Sequence, residues 1–141
     1  MLATNSNEEN KRLVRRLYEA SSNTSDPQVV SELFSADFIA SPGELDLAGF
    51  LQSTAAVHSG FPDVQFVIDD LFGEGDRVAV RWTFQGTHRG DFAGAKASGV
   101  RVTQTGNVIY QLRAGKICRA WLQVDRLGLL QQVGGAVRAA A

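Results

Sequence analysis

Three side chains in this sequence stand where proton chemistry could be done. Asp125 closes the apolar run from Ile117 to Val124, so a single carboxylate follows an otherwise greasy strand. A carboxylate desolvated by apolar neighbours keeps its proton to higher pH and can then act as acid and base near neutrality. The same aspartate precedes Arg126-Leu127-Gly128-Leu129-Leu130, where it also fits as the N-cap of a helix. His88 lies in Gly86-Thr87-His88-Arg89-Gly90, where a long strand leaves its sheet. It is a candidate base or hydrogen-bond donor at the rim of a pocket, or a support for a glycine-rich loop. His58, near the end of a helical pattern, could touch a ligand or complement the helix dipole.

Other chemistries lack their residues. The two histidines have no metal-ligand spacing and Asp69-Asp70 reads as a solvated strand end, so no metal is expected. Gly73-x-Gly75 is too short for a dinucleotide fingerprint and precedes a strand, so no cofactor is expected either. A net charge of −1 leaves no basic excess for a phosphate backbone, which argues against nucleic acid as a partner. Cys118 is the single cysteine, which precludes an intrachain disulfide and fits a reducing cytoplasm; it reads as a small strand residue. The start MLATNSNEENKRLVRR has no apolar core of a signal peptide, and no later run reaches the roughly 18 apolar residues of a membrane span. A soluble cytoplasmic protein with no membrane partner is the expectation.

The elements that must position these residues follow from periodicity. Leu13, Val14, Leu17, Tyr18 and Ala20 recur at helical spacing, predicting a helix from Asn7 to Ser22 that Ser21-Ser22-Asn23-Thr24-Ser25 breaks. Asp26 then caps a short second helix, with Pro27 at its first position and Val29, Val30, Leu33 and Phe34 inward. Phe38-Ile39-Ala40 reads as a short extended piece closed by Ser41-Pro42-Gly43. A third helix is expected from about Asp46 to His58, stopped by Gly60 and Pro62. Val64 to Ile68 predicts a strand and Gly73-Glu74-Gly75-Asp76 a turn. From Arg77 to Thr87, Val78, Val80, Trp82 and Phe84 alternate with Ala79, Arg81, Thr83 and Gln85, the pattern of a half-buried strand. The glycine-rich stretch from Gly86 to Gly99 reads as a loop, strands follow at Val100 to Leu112 and Lys116 to Val124, and Leu127 to Val133 makes a terminal helix.

A chain of 141 residues suits one domain, here 1–141 with an ordered core of about 7–134 and a frayed alanine-rich tail. Helices first and strands after argue for an α+β fold rather than alternating βαβ units. Laid across the concave side of a bent sheet, the helices would close a cone, α+β barrel-like, whose wide end holds a small hydrophobic ligand. Trp82 and Phe84 would then be both core and pocket wall.

FPD at Phe61, GDRVAVRW at Gly75, GTHRGDF at Gly86, GKI at Gly115, Trp121-x-x-x-Asp125 and LLQQ-x-G at Leu129 together resemble a SnoaL-like polyketide cyclase domain over nearly the whole chain. The resemblance implies the α+β cone shared with ketosteroid isomerase and scytalone dehydratase, and a homodimer or homotetramer. The face carrying Arg81, Thr83 and Gln85 is a candidate dimer surface. It also implies a cofactor-free intramolecular aldol reaction on a polyketide ester. Such a reaction needs a base beside an acidic C–H, a donor beside the carbonyl oxygen that becomes negative, and walls that fold the substrate onto itself.

Aligned on GKI and the terminal helix, the cyclase acid falls at Leu122 and the cyclase pocket histidine near Val108, neither of which can move a proton here. Strand parity puts Leu122 and Val124 on one face, opposite Trp121, Gln123 and Asp125. Tyr110, two residues beyond Val108 on the same face, becomes the candidate oxyanion donor, and Ser41 falls where the cyclases hold a pocket amide. The expected function is cyclisation of a polyketide-derived substrate, with Asp125 or His88 moving the proton. The alternatives are a cofactor-independent or partner-assisted hydroxylase, and a non-catalytic binding protein for a lipophilic small molecule.

Overall fold

The computed structural model describes residues 2–20 and 26–134. Four helices and six strands run in the order α1 (Leu2–Glu19), α2 (Pro27–Leu33), β1 (Phe34–Ser41), β2 (Leu45–Asp46), α3 (Leu47–Gly60), β3 (Gln65–Glu74), β4 (Arg77–Thr87), β5 (Arg101–Arg113), β6 (Lys116–Val124) and α4 (Arg126–Val133). Three aspartates start the shorter helices by accepting an amide left unpaired in the first turn. Asp26 takes Gln28 N, Asp46 takes Gly49 N and Asp125 takes Gly128 N, each at 2.9 Å. No helix among the described residues is long and apolar enough to cross a membrane.

The strands form one mixed sheet in the order β2-β1-β6-β5-β4-β3, antiparallel throughout except where β1 runs parallel to β6. The alternation expected in β4 is realised: Val78, Val80, Trp82 and Phe84 are buried, and Ala79 to Gln85 face outward at every second position. On β5 the inward row is Val102, Gln104, Gly106, Val108, Tyr110 and Leu112. On β6, Leu122 pairs with Val108 and Val124 with Gly106, so the two share a face as parity predicts, and that face is the inner one.

Several boundaries differ from the sequence reading. The short piece at Phe38 is the middle of an eight-residue strand, and Phe34 opens that strand while its N–H, bonded to Val30 O, caps α2. The ladder to β6 captures this backbone, which local propensity alone does not report. β3 continues through Asp69, Asp70 and Gly73 to Glu74, and only Gly75 and Asp76 remain as the turn. Gly73 serves a close approach there, since a Cβ would lie 2.7 Å from Arg77 O, whereas Gly75 supplies the positive φ of +60°. Asp69 and Asp70 are not a free strand end: Thr83 donates to Asp69 at 2.6 Å and Arg81 to Asp70 at 2.8 Å. α1 reaches back to Leu2 and is followed to Glu19; its expected breaker, residues 21–25, and the expected frayed tail, residues 135–141, lie outside the described residues.

The core lies between the concave face of the sheet and the helices laid across it. α1 packs on β3 and β4 through Val14, Leu17 and Tyr18, while α3 packs on β1 and β2. Phe34, Phe38 and Phe50 meet edge-on or tilted between β1 and α3, and Phe61, Phe84 and Phe92 do so under the loop after β4. Each fully buried ring of this kind contributes about 1.5–3 kcal/mol relative to exposure. Toward the wide end the filling stops short and leaves space.

Candidate active site

That space is a cavity of about 790 Å³ between α1, α3 and the inward rows of β3 to β6, with the segment 91–93 and Arg126 at its edge. Its body is apolar, with Phe50, Phe66, Trp82, Phe84, Val108 and Leu122 in its wall. Phe66 stands edge-on to both Trp82 and Phe84, with ring centroids 5.1 and 5.5 Å away, which fixes these rings without filling the space.

One polar pair crosses this apolar body. Tyr18 from α1 and Tyr110 from β5 bring their hydroxyls to 2.6 Å. Two hydroxyls carry two protons, and one proton suffices for the bond between them, so the second O–H stays free for a ligand. Burial pushes the Tyr18 hydroxyl well above the ordinary tyrosine range; its Tyr110 neighbour adds to this and the Trp82 indole opposes it. Burial also raises Tyr110, with Tyr18 offsetting part of the rise. Both are therefore neutral donors at any pH near neutrality.

A second set of polar groups lies in the same wall. Gln104 is 4% exposed, and its Oε1 has no hydrogen-bond partner among the described residues. Arg126 holds its guanidinium 5.0 Å from the Phe92 ring centre, and burial lowers its pKa. His58 in the last turn of α3 and Asp91 in the loop after β4 also line the cavity. A backbone clamp fixes these two segments against each other: Arg89 N and Gly90 N donate to Gly60 O at 3.1 and 3.0 Å. Only glycine fits at position 90, since a Cβ there would lie 2.2 Å from Ser59 O. Ser53 and Thr54 are less available, because their hydroxyls already donate to the Phe50 and Leu51 carbonyls at 2.7 and 2.8 Å. Among the described residues no group of three His, Cys, Asp or Glu side chains converges as a metal site would require.

The structure sorts the residues singled out from sequence into two sets. Tyr110, His58, Trp82, Phe84, Val108 and Leu122 line the cavity. Asp125, His88 and Ser41 do not, and each has a competing partner. Asp125 is the cap of α4, its Oδ1 held by Gly128 N and its own N–H bound to Thr105 O at 3.0 Å. His88 is completely buried beneath the 88–100 loop, where Nδ1 accepts Ser98 N–H at 3.2 Å and lies 2.8 Å from Ser98 Oγ. Its backbone binds Val100 O, Ser98 N and Gly99 N, so it organises that loop instead of facing a ligand. Ser41 donates to Glu44 and accepts from Arg119 at 2.7 Å, in an ion-paired cluster outside the cavity wall.

Among the polar wall residues that sequence reasoning missed, Tyr18, Asp91, Gln104 and Arg126 bear most on the chemistry. Tyr18 reads as one more apolar helix position, and its hydroxyl finds its partner only across the fold, in Tyr110 on β5. Asp91 and Arg126 lie outside any period. Gln104 had a usable signal: it occupies an inward position of a period-two strand, where a polar residue is out of pattern.

A family profile described as SnoaL-like polyketide cyclase matches residues 12–133. Among solved structures, AclR from Streptomyces galilaeus, a proposed hydroxylase, superposes with a TM-score of 0.82 at 25% identity over 91% of this chain and 82% of its own. IdmH from Streptomyces antibioticus, a proposed polyketide cyclase, superposes with a TM-score of 0.76 at 26% identity over 89% of this chain and 98% of its own. A proposed polyketide cyclase from Acidithiobacillus ferrooxidans gives 0.77 at 26% identity over 94% and 96% of the two chains. None of the curated proteins compared by sequence matches the chain.

Proposed function

This chain belongs to the SnoaL-like polyketide cyclase family, and from that premise we propose that it closes a ring in a polycyclic, polyketide-derived ketone by cofactor-free proton transfer inside the cavity. The observation that carries this reading is the Tyr18–Tyr110 pair, a neutral double hydroxyl set in an apolar enclosure. A C–H beside a carbonyl loses its proton to a base, and the resulting enolate carbon attacks a second carbonyl within the same molecule. A C–C bond forms, and the new alkoxide takes a proton back. The free O–H of the tyrosine pair is the donor for the enolate oxygen, in surroundings that strengthen such a bond. His58 is the base, in place of Asp125 and His88, because an imidazole can take a proton and return it and this one lines the cavity. Leu122 and Val108 act as wall, folding the substrate chain toward the tyrosines.

The test is deuterium exchange at the activated methylene of a β-ketoacyl anthraquinone, offered both as the free carboxylic acid and as its methyl ester, read by NMR beside formation of a ring-closed isomer of unchanged mass. Tyr110→Phe and His58→Ala each slow both processes by about 10²-fold or more. An exchange rate and pH profile identical to wild type in both variants would sink the assignment.

A second reading is hydroxylation of an aromatic polyketide, favoured by the likeness to AclR and by Leu122 at the position where the cyclase acid is expected. Dioxygen would then place one oxygen in the product and lose the other as water, with two electrons from a partner reductase. Incorporation of label from ¹⁸O₂ distinguishes it. Tight binding without turnover under either condition would instead mark a carrier of lipophilic ligands.

A further inference from the structure

Arg126 is placed where a cation is unfavourable. It is the first residue of α4, whose N-terminal amides already carry partial positive charge, and it lines an apolar cavity. Its guanidinium covers the Phe92 ring, its buried Nε has no hydrogen-bond partner among the described residues, and none of their carboxylates lies within ion-pair distance of it. Asp125 stands beside it in sequence, yet its Oδ1 is engaged by Gly128 N. Asp91 shares the cavity wall and has its Oδ1 bound to Ala97 N at 3.0 Å. Burial lowers the guanidinium pKa, the direction expected of a cation short of compensation.

Gln104 supplies an independent observation on the same wall. Its Oε1 is buried without a donor, a state that costs free energy until a ligand O–H or N–H fills it. An anionic oxygen opposite Arg126 and a donor opposite Gln104 would satisfy both at once.

We propose that the cavity selects polycyclic aromatic carboxylic acids, the carboxylate seated on Arg126 and a ring hydroxyl donating to Gln104 Oε1. This rests on the cavity being the ligand site, as in the function proposed above, and adds that the substrate arrives as a free acid and not as a neutral ester. A guanidinium fork matches a carboxylate with two parallel hydrogen bonds and offers an ester far less. The carboxylate is thereby an orienting handle that turns the reactive chain toward the tyrosines.

Anthraquinone-2-carboxylate and its methyl ester are the probes, titrated against the full chain with quenching of tryptophan fluorescence as readout, since Trp82 lines the cavity. Wild type binds the acid at least about tenfold more tightly than the ester. Arg126→Gln abolishes that preference, while Arg126→Lys, which keeps the charge, retains part of it. A third probe, 6-hydroxyanthraquinone-2-carboxylate, whose O–H has no neighbouring carbonyl to chelate it, binds more tightly than the unsubstituted acid, and Gln104→Leu removes that advantage. Equal binding of acid and ester by wild type, or a preference that survives Arg126→Gln, overturns the proposal and leaves the cavity as ligand site intact. Failure of both probes to bind overturns the ligand site as well.

Discussion

The His88–Ser98 cluster beneath the 88–100 loop and the Tyr18–Tyr110 pair in the cavity both bury hydrogen-bonding side chains among phenylalanines, yet they use their capacity differently. His88 Nδ1 and three backbone groups around it are bound within one short segment, and its Nε2, left without a partner among the described residues, is enclosed by protein away from the cavity wall. The tyrosines bond to each other across 92 positions of sequence and keep one O–H unassigned beside empty space. Burial of a polar group therefore does not mark function. What matters is whether its remaining capacity faces protein or a void.

The largest effect that bears on this contrast is expected from His88→Ala, which opens a void in the packed layer with Phe61 and strands the Ser98 groups. Urea unfolding should show a loss of about 2–4 kcal/mol, with turnover per folded molecule little changed. A stable variant with turnover down by orders of magnitude would return His88 to the chemistry. Next comes Tyr110→Phe, expected to lower turnover by about 10²-fold, roughly 2.7 kcal/mol at the barrier, while stability shifts by about 1 kcal/mol. The reverse pattern would make the tyrosine pair a structural cluster like the first.

Asp125→Ala is a smaller perturbation of about 1 kcal/mol, from loss of the α4 cap, measured by thermal or urea unfolding. Its turnover should stay near wild type, because the carboxylate is not part of the cavity wall. The smallest effect at working pH is the titration of the tyrosines. Their folded pKa lies above the unfolded value near 10, so the neutral pair stabilises fully below about pH 10 and the contribution falls as pH rises past it. Unfolding scans at successive alkaline pH should show that decline in wild type and a flatter profile in the double phenylalanine variant.

Much of the fold was legible because strand and helix periods are local. The alternation from Val78 to Gln85 placed Trp82 and Phe84 on the inner face, and parity along β6 put Leu122 and Val124 on one shared face. That hairpin turns on Ala114 and Gly115, both at positive φ. The site was legible only in part. Asp125 carried two valid local readings, and the unpaired amides at the start of α4 decided between them. His88 looked like a rim residue because nothing in Gly86 to Gly90 reports that residues 98–100 fold back over it. Tyr18 gave no polar signal at all, since a tyrosine on the apolar stripe of a helix is also good packing.

By itself the sequence determined which residues alternate, where helices are capped, and that an apolar sheet face must be covered by amphipathic helices, since each of these depends on neighbours a few positions away. Only the tertiary structure decided which side chains border the empty volume. That volume lies between α1, α3 and β3 to β6, so it has no local signature. Its boundary arises only where elements distant in sequence fail to close on one another, and there Tyr18, Tyr110, Gln104 and Arg126 border the void.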